Sequence, residues 1–288
     1  MNGILIINKP KNYTSHDIVY KVKKLVNEKV GHTGTLDPMA TGVLPLLIGK
    51  GTLCSKYLIN HDKKYIVELK LGERTDTADI EGNIIEEKEV PIQSLEKENV
   101  ESSLKKFIGK QEQIPPIYSA IKVNGKKLYE YARKGQTVEI KPRNIEIYNM
   151  KLLNIDKKEK LIKFEVSCSK GTYIRSLCED IALELKTVGY MQNLNRTQVG
   201  DFIIEKAYTI EELIENASEV ENKIISIEEI FEEKEKINLS DRELKLLLNG
   251  VKIKKEKKDG IYRIYDEKNI FIGIATIENT ILKRDIIL

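Results

Sequence analysis

The chain reads as a mixed α/β or α+β protein with a small β-rich module at its carboxyl end. Three observations predict this. Segments of helical spacing alternate with strand-like segments along most of the chain. The pattern changes around Lys234–Leu239, and strand-like runs dominate beyond it. The 288 residues, 41% of them hydrophobic, suffice for one large domain and one small one. We place the boundary between residues 235 and 236, giving domains 1–235 and 236–288. Strand order does not follow from sequence.

Gly3–Asn8 is a short apolar run ended by Pro10 and predicts a strand. Ile18, Val19, Val22, Leu25 and Val26 keep helical spacing, with Thr14 or Ser15 as the N-cap. Gly31–Pro45 reads as a glycine-punctuated loop between apolar segments. Tyr65, Val67, Leu69 and Leu71 alternate with polar or outward positions, as in a strand. Asn99–Ile108 predicts a helix closed by Gly109. Val123-Asn124-Gly125-Lys126 carries a turn signal, and Leu128–Lys134 predicts a helix with Gly135 at its C′ position. Asn144–Ile155 and Leu161–Cys168 predict strands, and Tyr173–Leu185 an amphipathic helix. Thr209 with Glu212, and Ser226 with Glu229, form capping-box patterns. A short helix over Asp241–Asn249 ends at Gly250, and strand-like runs follow at Ile261–Tyr265, Ile270–Ile277 and Ile281–Leu288.

Several function classes fall away. The amino-terminal apolar run is too short for a signal peptide, and no stretch approaches the ~18 apolar residues of a membrane span. A soluble cytoplasmic protein with no membrane association is expected. Cys54, Cys168 and Cys178 are odd in number and lack CxxC spacing, which argues against a disulfide framework or a zinc site. His16, His32 and His61 have no ligand spacing on one helix. No metal is expected. The net charge of +3 is modest, but residues 104–145 hold ten Lys/Arg against three Glu. Residues 205–235 hold three Lys against eleven Glu. A basic face backed by an acidic one suits a polyanion, although a solvated Lys/Glu surface has the same composition.

The segment GHTGTLDPMATGVLP, residues 31–45, carries the most information. Gly31, Gly34 and Gly42 permit close backbone approach around a ligand. Asp37 precedes Pro38, which pushes it towards an extended conformation. Asp before Pro is also ordinary helix-start chemistry, and the two readings are compatible, since a cap fixes a carboxylate rigidly.

This segment resembles the catalytic loop of the TruB family of tRNA pseudouridine synthases. The resemblance covers nearly the whole chain. Asn8-Lys9-Pro10 and Thr14-Ser15-His16-Asp17 resemble the family's KPxGxTSHD motif, with Asn12 where glycine is usual. Lys64-Tyr65 and the run from Leu71 to Asp79 are similar to its tyrosine motif. Gln113–Lys122 and Leu128–Gly135 look like a segment that covers bound RNA. Lys170–Leu177 resembles the arginine motif, and Leu194–Gly200 the LRRTxVG element, with Asn195 replacing a common Arg. The tail from about Leu239 resembles a PUA-type RNA-binding domain more weakly.

The resemblance implies an α+β catalytic fold with a mixed, largely antiparallel sheet and a PUA-like carboxyl-terminal domain. It implies isomerisation of uridine-55 in the T-loop of tRNA, with base flipping and no cofactor. Asp37 would be the nucleophile, Arg175 its partner, and Tyr65 the ring that stacks on the uracil near the departing proton. His32, Leu194, Lys9, Tyr173, Lys122 and Arg133 would contact the substrate, with Lys9 and Pro10 bracing the loop. Lys122, Lys126, Lys127, Arg133 and Lys134 suit phosphate contacts.

Each residue also has an ordinary structural reading. Arg175 could be a surface residue paired with Glu179, and Tyr65 or Leu194 a core side chain. His32 could be a structural loop residue. Arg175 would fall in the first turn of its helix, where a cation opposes the macrodipole by about 0.3–1 kcal/mol. Rival functions are a guide-dependent synthase within an RNA particle, a non-catalytic RNA binder, and a nuclease using Asp76 and Asp79 as metal ligands. The compact tail favours a stand-alone enzyme, expected to be a monomer with tRNA as partner and no obligate protein partner.

Overall fold

The computed structural model describes residues 1–59 and 61–288. Among them, ten strands form one sheet. Its main path runs Ile225–Ser226, Gly3–Lys9, Thr41–Ile48, Gly189–Val199, Lys63–Leu71, Leu161–Cys168, Arg143–Asp156, Gly109–Gln113. Phe202–Ile203 and Val30–His32 pair off this path. Neighbours are antiparallel except Thr41–Ile48 against Gly189–Val199, where Asn195 lies beside Thr41 and Arg196 beside Gly42 in parallel. The class is therefore α+β with a mixed, largely antiparallel sheet.

The Ser15–Val26 helix buries Ile18, Val22 and Val26 against the strands Gly3–Lys9 and Thr41–Ile48. Its N-cap is Thr14, in a capping box with Asp17. Ile174–Glu184 buries Ile174, Leu177, Cys178 and Ile181 in a second cluster with Tyr65, Val67, Phe164 and Leu194. A second sheet, Lys236–Asn238, Gly260–Tyr265, Phe271–Glu278, Ile281–Ile287 and Ile253–Lys254 in that order, forms the carboxyl-terminal module. Ile274 and Ile286 of that sheet share an apolar cluster with Ile4, Ile6, Leu58 and Phe231. Asp285 accepts hydrogen bonds from Lys56 and Tyr57 across the same junction.

Most expected elements appear within a few residues of their predicted bounds. The Asn124-Gly125 turn joins Lys122–Val123 to Lys126–Lys127 with φ of +51° and +80°, as an Asn-Gly hairpin requires. Three expectations need correction. Thr41–Ile48 is a strand rather than the end of a loop. Pro45 argues against a strand in sequence, because proline cannot join a ladder. Here it falls between two partial partners, Gly189–Val199 at Thr41–Gly42 and Val30–His32 at Leu46–Ile48. Gly189–Val199 is likewise a central strand. Its polar residues hid the alternation because several of them serve the site described below. Finally, the third helix spans Lys97–Lys106, and Gly109, at φ +117°, opens a strand instead of closing the helix.

The parallel seam demands a glycine. Gly42 has φ +105°, and a Cβ there would lie 2.2 Å from the Arg196 carbonyl oxygen. Gly42→Ala is therefore expected to lower unfolding free energy by about 2–5 kcal/mol, from overpacking together with left-handed strain. A urea titration checks this. A loss below about 0.5 kcal/mol would mean that the strands separate easily.

Candidate active site

Asp37 sits on the segment between the strands Val30–His32 and Thr41–Ile48. Four side chains or turns hold that segment by its backbone. Ser15, placed by the capped first turn of its helix, accepts from the Leu36 N–H at 2.9 Å and donates to the Leu36 carbonyl at 3.2 Å. Asn12 adopts φ +67°, and its N–H donates to the Pro38 carbonyl at 2.9 Å. Asparagine tolerates this region better than most residues, so the turn survives the loss of the usual glycine. Lys9 is fully buried, and its ammonium donates to the carbonyls of Pro10, Tyr13 and Pro38 at 2.9, 2.7 and 3.2 Å. Arg196, 2% exposed, donates to the carbonyls of Val43 at 2.8 Å, Gly34 at 3.1 Å and Thr35 at 3.5 Å.

The Asp37 carboxylate meets Arg175, with Nε to Oδ2 at 3.2 Å. Arg175 is held in turn by Asp79 at 3.3 Å and by the carbonyls of Thr77 and Tyr118 at 3.2 and 2.8 Å. Asp79 is 3% exposed and accepts from the Thr77 hydroxyl at 2.7 Å and the Glu81 N–H at 3.1 Å. The guanidinium therefore turns away from Glu179 and bridges two carboxylates. Charge-assisted bonding of this kind offsets the mild penalty of a cation in a first helical turn.

Asp37, Tyr65, Arg175, Leu194, Tyr173 and Met191 line one cavity of about 480 Å³, together with Tyr118, Ser119 and Tyr129. Gln113 fixes the Tyr173 backbone, accepting from its N–H at 2.8 Å and donating to its carbonyl at 3.0 Å. Tyr65 and Arg196 are directly opposed across neighbouring strands. The Arg196 charge acts on the Tyr65 phenol, pulling its pKa down against the effect of burial.

Burial sets the electrostatics. It raises the Asp37 carboxyl above its ordinary value, with Arg175 opposing the shift and Asp79 adding to it. It pushes the Tyr65 phenol up to about 12, against a downward pull from Arg196. It lowers the Lys9 ammonium to about 8, against the upward pull of the Asp37 carboxylate. It also lowers His32, so that ring is neutral at pH 7.

The structure sorts the predicted residues. Asp37, Tyr65, Arg175, Leu194 and Tyr173 come together around the cavity. Lys9 does not face it: the side chain is consumed in backbone bonds beneath the loop, so the expectation of substrate contact is corrected to a brace. His32 is absent from the cavity wall, and its Nδ1 is buried without a partner among the described residues. Lys122 and Arg133 are exposed, on the hairpin and the helix end beside the cavity. Arg133 packs over the ring of Tyr129, a wall residue, at 5.4 Å. The sequence pattern assigned no role to Arg196 or Gln113, offered Ser15 only as an N-cap candidate, and gave Asp79 only a metal-ligand alternative. That alternative fails on its donors: Asp79 is committed to Arg175, Thr77 and Glu81, and Asp76 accepts from the Asn83 N–H at 2.8 Å. Among the described residues no three His, Cys, Asp or Glu gather as a metal group. No helix there is long and apolar enough to cross a membrane.

A profile of the TruB family pseudouridylate synthase N-terminal domain matches residues 22–174. Profiles of the tRNA pseudouridylate synthase B C-terminal domain and of the pseudouridine synthase II TruB C-terminal region match residues 175–232 and 236–283. The chain belongs to the TruB family. A relative called tRNA pseudouridine synthase B from Clostridium kluyveri is 45% identical, over 96% of this chain and 95% of its own. Another of that name, from Caldanaerobacter subterraneus subsp. tengcongensis, is 44% identical over 96% of each. Among solved structures, a chain of a Cbf5-Nop10-Gar1 complex superposes with a TM-score of 0.69 at 25% identity, over 96% of this chain and 79% of that one. Membership in the TruB family gives the reaction class, isomerisation of a uridine to pseudouridine.

Lys9 offers a pH test of the brace. Its folded value near 8 lies below the unfolded one near 10.5, so the unfolded chain binds more protons between them. Stability relative to a Lys9→Met variant should therefore rise from pH 8 to 10.5, by up to about 3 kcal/mol. At pH 7 the variant should still be less stable, because three carbonyls lose their donor. Urea midpoints across this range read both effects, and parallel curves would contradict the assigned burial of the charge.

Proposed function

We propose that the protein isomerises uridine-55 in the T-loop of tRNA to pseudouridine, with Asp37 as its nucleophile and the target nucleotide flipped into the cavity. One observation carries the reading: a single carboxylate, paired with a buried guanidinium, faces a cavity of about 480 Å³ walled by Tyr65 and Leu194. Relatives named tRNA pseudouridine synthase B, alike over almost the full chain, support tRNA as the substrate class.

The reaction breaks the C1′–N1 bond, turns the uracil and joins C1′ to C5. C5 then loses a proton and N1 gains one, with no redox change, so no cofactor is required. Asp37 can act by attack on the sugar, attack on the base, or passage through a glycal, and each route needs an ionised carboxylate. Arg175 supplies the charge that keeps it ionised in a partly dehydrated site. Tyr65 stacks its ring on the uracil, and its oxygen carries away the C5 proton. Leu194 and Met191 pack against the base, and Tyr173 and Arg133 hold the substrate near the entrance.

A uridine within folded RNA cannot reach Asp37 without leaving its stack. Extrusion costs a few kcal/mol, offset by stacking in the pocket and by phosphate contacts. We assign those contacts to Lys122, Lys126, Lys127 and Arg133, and assign His32 to the distorted RNA beside the vacated position. Recognition rests on the shape of the loop more than on its sequence. The enzyme works in the cytoplasm as a monomer, without an obligate protein partner.

The test incubates purified protein with an unmodified tRNA transcript, followed by carbodiimide treatment and primer extension. One new stop at the T-loop uridine is expected. Asp37→Asn should abolish it and keep tRNA affinity within a few-fold. Tight binding without product on folded tRNA would move the reading to a guide-dependent enzyme or an RNA binder. A second measurement concerns the rim. Arg133→Ala should weaken tRNA binding and reduce the slope of log affinity against log salt by about 0.7–0.9, the value for one lost phosphate contact. An unchanged slope would place Arg133 away from the RNA backbone.

A further inference from the structure

Arg196 belongs to no catalytic role assigned above, yet it holds one part of the machinery and lies directly across the sheet from another. Its Nε and both terminal nitrogens are spent on the carbonyls of Val43, Gly34 and Thr35, which precede and follow Asp37. Its cross-strand neighbour is Tyr65, with the two Cα atoms in register. Such pairs place their side chains within reach on one face of a sheet. Arg196 is 2% exposed and Tyr65 8%, so bulk solvent screens a charge on one from the other only weakly. A surface arginine could swing away, but a guanidinium fixed by three carbonyls cannot.

The proton transfer gives this arrangement a use. After C5 bonds to C1′, C5 carries both that bond and its hydrogen, and the ring holds an N1=C6 double bond. Proton removal returns the C5–H electron pair to form C5=C6, and the N1=C6 pair moves to N1, which takes up a proton. To accept the C5 proton the Tyr65 phenol must give up its own, which supplies the proton that N1 takes up, so its oxygen carries negative charge during the exchange. A buried phenol by itself resists that charge.

We propose that Arg196 is a positioning residue for this step: it holds the phenol oxygen of Tyr65 in place and stabilises the negative charge that oxygen carries as it takes the C5 proton. The proposal rests on the function assigned above. It assigns Arg196 to proton removal specifically, in addition to bracing the Asp37 loop. Its pull on the phenol against the effect of burial agrees in sign.

Two substrates separate the two duties. In tRNA carrying deuterium at uracil C5, slow proton removal appears as a primary isotope effect. In tRNA carrying fluorine at C5, bond breakage, rotation and rejoining can proceed, but no proton can leave. Arg196→Lys, which keeps a cation but loses the planar fork, is the main variant, and Arg196→Met removes the charge. Circular dichroism would verify folding in each. The expected result is a fall in pseudouridine formation of about 10²-fold for Arg196→Met, the scale of lost proton-transfer catalysis, and a smaller fall for Arg196→Lys. The deuterium effect should grow in both, as it should in Tyr65→Phe. Rejoining of the fluorinated substrate should change less than tenfold. An unchanged deuterium effect with equal losses on both substrates would overturn the proposal and leave Arg196 as a loop brace. Failure of the wild-type protein to form any pseudouridine would overturn the functional reading and this proposal together.

Discussion

The pairing of the Asp37 carboxylate with the Arg175 guanidinium organises the rest of the site. Burial raises the Asp37 carboxyl above its ordinary value. Arg175 opposes that tendency directly, at 3.2 Å. A lone guanidinium would itself be costly to bury beside a helix N-terminus. Asp79 and the carbonyls of Thr77 and Tyr118 take up its remaining donors. The ion pair is therefore a small network with its polar groups satisfied from both sides.

The backbone under Asp37 depends on the same economy of buried charge. Lys9 and Arg196 bring two more cations beneath the loop, and both are satisfied by carbonyl oxygens. These bonds serve two ends. They hold the loop in one geometry, and they raise the positive potential around the carboxylate. Motifs from opposite ends of the catalytic domain thus act on the same few residues. The first strand and turn supply Lys9, Asn12 and Ser15. The strand Gly189–Val199 supplies Arg196 and Leu194. Their meeting requires the parallel pairing of Thr41–Ile48 with Gly189–Val199, and Gly42 lets the strands approach there.

The departures from the family pattern fit this frame. Asn12 occupies the left-handed region that a glycine would favour, and its N–H still reaches Pro38. Asn195 lies at the parallel seam, with a buried Oδ1 that has no hydrogen-bond partner among the described residues. A Cβ at position 42 would lie 2.5 Å from that atom, so the seam is crowded on its side-chain face as well. The basic hairpin and helix around Lys122–Arg133 stand apart from this rigid centre. Their cations are exposed, except where Lys127 and Arg133 pack on Tyr129, and exposed cations suit a phosphate backbone.

Local patterns in the sequence determined much of this protein. Alternation at Tyr65–Leu71 and helical spacing at Ile174–Leu185 placed two of the site's supports. Capping pairs at Thr209 and Ser226 marked helix starts and both form, and of the two N-cap candidates Thr14 and Ser15 the structure uses Thr14. Asp37, Tyr65 and Arg175 were legible through motifs whose order runs along the chain. Tertiary structure alone decided which polar residues are buried and what they hold. Lys9 reads in sequence both as a substrate contact and as a brace, and its full enclosure leaves it as the brace. Arg196 lies in a motif with no role assigned to it, Asp79 reads in sequence only as a metal-ligand candidate, and both bond within the site. Thr41–Ile48 and Gly189–Val199 escaped the strand pattern because one contains a proline and the other carries polar residues turned inward. The physical reason is common to all of them. Hydrophobic periodicity reports side chains that leave water for apolar contact, whereas these residues leave water for backbone carbonyls and opposite charges supplied from distant parts of the chain.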